Sequence, residues 1–133
     1  MIHSMTLNEK FFLDTLKQDK LIEFRLNDEK RKLIKKNDII QFKNSSNTDM
    51  CIYVKVIKLV HNDTFEHLFN TIDSKLIKYP LPILLTSLNK IYSTDNIKKF
   101  GVLAIYFEVI WIFILLFLYF LRTLVRLFIV KML

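Results

Sequence analysis

The stretch MCIYVKVIKLV (50–60) alternates apolar and polar side chains, with Ile52, Val54 and Val56 on one side and Tyr53 and Lys55 on the other. A period of two is the signature of a strand with one covered face. LIEFRL (21–26) repeats the pattern, setting Ile22, Phe24 and Leu26 against Glu23 and Arg25, and DIIQFK (38–43) is strand-like. The cluster NSSNTD (44–49) between the last two reads as a turn, because such side chains satisfy their own backbone, so 38–60 predicts a β-hairpin with a longer loop. Around these strands lie short amphipathic segments. In TLNEKFFLDTLKQ, Thr6 or Asn8 can cap a helix whose stripe is Phe11, Phe12, Leu13 and Leu16, ending near Gln18 and Asp19. DTFEHLFNTI (63–72) predicts a helix opened by Asp63 with Phe65, Leu68 and Phe69 inward. YPLP (79–82) reads as an interruption, and STDNIKKFG (93–101) as a capped turn closing on the only glycine. Residues 1–6 read as an edge strand, 27–38 as a polar connection with one helical turn, and 101–109 as a last strand. The expectation is α+β: a closed or curled sheet with short peripheral helices.

The apolar fraction of 52% is unevenly spread, its surplus falling after Val102. The formal charge is +7, and between Lys20 and Lys36 seven bases face three acids. A basic excess favours a polyanionic partner, nucleic acid or an anionic membrane surface, without choosing between them. One glycine excludes Gly-rich nucleotide-phosphate loops, and no cofactor is expected. His3, His61 and His67 are scattered without zinc-ligand spacing, so no metal is expected. Cys51, the single cysteine, is expected as a small core residue. The amino terminus shows no apolar run behind a basic start and does not read as a signal peptide. Tyr53 and Lys55 share the outward face of their strand, as a base-stacking pair or an ordinary surface pair.

The remaining chemistry sits in QDKLIEFR (18–25). Glu23 and Arg25 share a face of their strand about 6.6–7 Å apart, within pairing reach. Strict parity puts Lys20 on the opposite side unless a bend swings it round. Two readings follow: an edge strand guarded by charge, or a polar cleft in which Glu23 orients two cations toward an anion or nucleobase.

QDKLIEFR resembles the GxKxxExR signature of the ASCH domain family. LNEKFF before it resembles that family's first helix, RLNDEKRKLIKKNDIIQF its loop and next strand, and IYSTDNIKKFGVLAIYF its closing turn and last strand. The resemblance covers roughly residues 1–108. It implies a PUA-like β-barrel that binds RNA or a modified nucleoside, with Lys20, Glu23 and Arg25 at the binding cleft. The motif glycine is replaced by Gln18, so Asp19 is expected to take the left-handed turn instead. One branch of the family hydrolyses acetylcytidine with a threonine where this chain has Glu23. That leaves nucleoside amidohydrolase, or ribonuclease, as alternatives using Lys20 and Glu23, and a barrel without activity as a third.

After the barrel, VIWIFILLFLYFL (109–121) carries no charge and is followed by RTLVRLFIVKML. A bilayer-spanning helix needs about 20 apolar residues. A helix from Val109 to Val130 reaches that length if Arg122 and Arg126 snorkel, with Trp111 and Tyr119 as interface anchors. The expectation is a domain at 1–108 and a hydrophobic helix at 109–133, a transmembrane anchor contacting lipid through residues 109–130 and leaving the domain in the cytoplasm. An amphipathic partner helix or a tail from a shifted reading frame are the alternatives.

Overall fold

The computed structural model describes residues 1–113 and 115–133, with side chains outside 111–119. In chain order the elements are β1 (Ile2–Leu7), α1 (Glu9–Leu16), β2 (Ile22–Leu26), β3 (Ile39–Asn44), β4 (Cys51–Asn62), α2 (Phe65–Asn70), α3 (Leu81–Ile91), α4 (Thr94–Phe100), β5 (Val102–Phe113) and α5 (Leu115–Met132). Short 3-10 turns lie at Arg31–Leu33 and Ser74–Leu76. The strands form one sheet in the order β1-β3-β4-β5-β2, with β1 parallel to β3 and the other pairs antiparallel. Two irregularities in the β4–β5 ladder, between Tyr53 and Val54 and between Val56 and Lys58, curl it into a half-barrel.

Alternation along the strands builds the core. Ile40, Phe42, Ile52, Val54 and Val56 are fully buried with Phe12 of α1, and Phe42 meets Phe107 edge-on at 5.3 Å. A second cluster packs Ile22, Phe24 and Leu26 of β2 against α2, α3 and α4 through Phe65, Leu68, Leu84, Leu88 and Ile97. Local chemistry sets the boundaries. Asn8 accepts from the Phe11 amide at 2.9 Å to open α1, and Ser93 caps α4. Thr64, not Asp63, caps α2; Asp63 reaches over to His67 Nδ1 at 2.6 Å. YPLP does not interrupt structure but begins it: Pro80 precedes the first turn of α3, where a missing N–H costs nothing.

β1 is moored to β3 at its start. His3 is buried, and its Nε2 lies 2.8 Å from Asp38 Oδ2, while the Lys35 amide donates to the same carboxylate at 3.0 Å. The His3 hydrogen bond, with that amide and the chain amino group, pulls the Asp38 carboxyl down to about 2.

The tail corrects the expectation of one hydrophobic helix over 109–133. Residues 109–113 remain in β5, paired with β4 as far as Cys51–Phe113, so the expected division at 108/109 falls inside a strand. Among the described residues no helix is long and apolar enough to cross a membrane. The 18 residues of α5 span about 27 Å and carry Arg122, Arg126 and Lys131, each costly at bilayer depth. The side chains of Trp111 and Tyr119, expected as interface anchors, lie outside the described residues.

Two outcomes test this packing. Gly101 has φ 72°, and a Cβ there would meet the Asn62 carbonyl oxygen at 2.9 Å. Gly101→Ala is expected to cost more than about 1 kcal/mol in a urea melt. Because the Asp38 pKa is lowered from 3.8, its stabilisation is complete above about 3.8 and is lost as pH falls toward about 2. Asp38→Asn is therefore expected to lower the Tm at neutral pH and flatten its fall across that acid window.

Candidate functional site

β2 is an edge of the sheet, yet its charges are not solvated. Lys20 and Glu23 are each only 7% exposed. Lys20 Nζ donates to Glu23 Oε2 and to the Ile22 carbonyl, both at 2.8 Å, and its ammonium lies 5.7 Å from the Phe11 ring and 5.9 Å from the Phe107 ring. Arg25 Nε stands 3.3 Å from Glu23 Oε1. Its outer nitrogen donates to the Thr6 carbonyl at 2.7 Å, so the guanidinium spans the seam between β1 and β2, the two edges of the half-barrel. Burial pushes the Glu23 carboxyl up, but the charges of Lys20 and Arg25, with the Lys20 hydrogen bond and the Phe24 amide, outweigh it and hold the carboxyl below its usual range.

The bend that brings Lys20 round to Glu23 is made by Gln18, with φ 61°, rather than by Asp19. After α1 the Asp19 and Lys20 amides both return to the Asp14 carbonyl, at 2.9 and 3.2 Å. This closes the helix in a left-handed turn without glycine. Asp19 instead latches a neighbouring segment, accepting from Lys78 Nζ at 2.7 Å.

That segment, 76–79, and helix α3 form the roof. Tyr79 donates its hydroxyl to Asp14 and meets Phe11 edge-on at 5.3 Å. Burial, helped by the Asp14 hydrogen bond, raises the Tyr79 pKa. Beneath the roof, Lys20, Glu23, Phe11, Ile77, Tyr79 and Leu84 line a cavity of about 40 Å³. That is room for a few waters, against the ~300–1,000 Å³ of ordinary ligand pockets. On the Arg25 side it adjoins a cleft of about 230 Å³ bounded by Thr6, Asn8, Phe11, Arg25, Ile91 and Tyr92, with Glu23 common to both. The cleft offers apolar and aromatic walls, a carboxylate acceptor and guanidinium and amide donors, which suit a planar, hydrogen-bonding ring.

The trio expected from the strand pattern is thus brought together. The sequence reading missed the roof, namely Tyr79, Leu84, Leu88 and Tyr92, because Pro80 and Pro82 were read as a break rather than as helix-start residues. Tyr53 and Lys55 lie on the outer face of the sheet, away from this cleft, with Tyr53 hydrogen-bonded to Gln41 at 3.0 Å. His3 serves the β1–β3 mooring and Cys51 is buried in the sheet. Among the described residues no group of three or more His, Cys, Asp or Glu could hold a metal ion.

A curled five-stranded sheet with peripheral helices, bridged at its seam by a Lys–Glu–Arg array, defines a mixed α+β half-barrel. Within that class the chain belongs to the ASCH domain family, which matches residues 5–110. The crystal structure of the hypothetical protein PH0355 superposes with a TM-score of 0.71 at 28% identity, covering 83% of this chain and 100% of that one. The solution structure of PF0455 from Pyrococcus furiosus gives 0.62 at 28% identity, covering 83% and 98%. The ASCH protein of Zymomonas mobilis shares the fold at 0.60 and 11% identity, covering 84% and 72%. No curated protein matches the chain.

Removing one member of a buried pair strands its partner, at a cost of roughly 3–5 kcal/mol. Glu23→Gln is expected to lose about 3 kcal/mol of stability at neutral pH in a urea melt. A loss within error would show Lys20 and Arg25 to be adequately solvated without it.

Proposed function

We propose that the protein binds RNA or a modified nucleoside in the cleft beside Lys20, Glu23 and Arg25. The supporting observation is that Glu23 and Arg25 line a concave, aromatic-rimmed cleft, with Lys20 paired to Glu23 in the cavity behind it, rather than standing on a solvated edge. The base enters the Arg25–Tyr92 cleft and stacks against its apolar walls. Glu23 accepts from the exocyclic or ring N–H of the base. Arg25 supplies donors to oxygen, and Lys20, from the adjoining cavity, fixes the Glu23 carboxylate.

Binding fits this geometry better than hydrolysis. A general base works best with a pKa near the working pH, whereas Glu23 is held ionised by two cations well below that range. A carboxylate also does not readily replace the hydroxyl nucleophile that the acetylcytidine-hydrolysing branch of the family uses.

The test incubates the full chain with short single-stranded RNA and with acetylcytidine, following anisotropy and product release in parallel. Binding without turnover is expected, with Lys20→Ala and Arg25→Ala each weakening it roughly tenfold or more, as loss of a charged hydrogen bond implies. Circular dichroism melts confirm that both variants remain folded. Release of cytidine, abolished by Lys20→Ala, would replace binding with hydrolysis. Neither binding nor turnover would leave a barrel without a ligand.

A further inference from the structure

Beyond the roof lies a concavity that the trio does not use. Strict alternation from Ile52, Val54 and Val56 would send Lys58 into the core. The irregularity between Val56 and Lys58 instead inserts Ile57 as an extra residue and turns Lys58 outward, its ammonium 5.3 Å from the Tyr106 ring. Lys75 and Lys78, from the roof segment, face the same space, a groove of about 320 Å³ floored by Ile22 and Tyr106. Its lining carboxylate is Asp19, paired with Lys78 at 2.7 Å; outside the lining, Asp73 accepts from the Lys75 backbone amide at 3.0 Å and adds to the larger effect of burial in raising the Tyr106 pKa. Among the described residues neither the Lys58 nor the Lys75 ammonium has a carboxylate within ion-pair distance. The groove therefore joins uncompensated positive charge to an aromatic face.

This groove adjoins the cavity under the roof, sharing the walls Asp19, Leu21, Ile22, Leu76 and Lys78 with it, and the cavity in turn shares Glu23 with the Arg25–Tyr92 cleft, so groove and cleft flank the same small cavity. We infer that the basic groove is a second subsite that takes the phosphate-bearing flank of a single-stranded RNA whose base occupies the cleft. The inference rests on the binding proposal above and sharpens it: the ligand is a strand, not a free nucleoside. Cations tracking a backbone beside an aromatic ring are the two parts from which single-strand grooves are built. A monomeric nucleoside would leave Lys58 and Lys75 without work.

The experiment uses the full chain carrying Lys58→Gln and Lys75→Gln, both exposed positions. It compares binding of a labelled single-stranded RNA of roughly ten nucleotides, of free acetylcytidine, and of phosphatidylserine vesicles. The double variant is expected to bind RNA about tenfold more weakly at low salt. The slope of log K against log salt should shrink by roughly 1.4, about 0.7 for each lost phosphate contact, with nucleoside binding unchanged. Unchanged RNA affinity and slope, while Lys20→Ala weakens binding, would overturn the groove and leave the cleft standing. Weakening by the groove variant while Lys20→Ala is silent would keep the groove and overturn the cleft. Loss of vesicle binding alone would assign the groove to lipid headgroups and overturn the inference, and a wild-type chain that binds no RNA would overturn both.

Discussion

The structure depends on one carboxylate. Glu23 sits in the seam where the sheet's two edges, β1 and β2, face each other without hydrogen-bonding as strands. Lys20 approaches from below and Arg25 from the side, and Arg25 extends the chain of contacts to the Thr6 carbonyl on β1. Taking such charges out of water is expensive, and their attraction repays it only when geometry and hydrogen bonding are good. Here the Ile22 carbonyl and the Phe24 amide supply backbone partners for Lys20 and Glu23. The result bridges the half-barrel's seam with polar side chains where backbone pairing stops.

That arrangement explains the irregular roof. A buried ion array at a seam needs cover from solvent to keep its short contacts. Cover comes from α3 and residues 76–79, anchored by apolar contacts of Leu84 and Leu88 and by two polar latches, Lys78–Asp19 and Tyr79–Asp14. The latch residues belong to segments far apart in sequence, so the roof is fastened at its margin while its middle rests over a cavity of about 40 Å³.

Much of this was legible from local pattern. The strands read from period two have the expected buried faces, because a half-covered sheet imposes that alternation directly: Ile52, Val54 and Val56 are fully buried, as are Phe65 and Leu68 on α2. The pairing of Glu23 with Arg25 followed from the same parity. Where the expectation differs from the structure, a competing contact overrode the first signal, a local one at Asp63 and a distant one at Asp19. Asp63 looked like a cap but was drawn to His67, leaving Thr64 to the task. Asp19 looked like the left-handed residue but was held by Lys78, leaving Gln18 to take φ 61°. The apolar run from Val109 looked like the start of a membrane helix, yet residues 109–113 continue β5 alongside β4, because a strand's ladder partner lies far off in sequence.

The sequence alone determined the α+β class, the family and the identity of the three ionic side chains, because periodicity and motif spacing are carried by neighbours along the chain. Only the tertiary structure decided that Lys20 and Glu23 are buried, that Arg25 bridges to Thr6, and that a bulge at Ile57 turns Lys58 toward Tyr106. Burial and charge compensation are set by what packs from elsewhere in the chain, and no local pattern encodes the arrival of a distant roof over a strand's polar face.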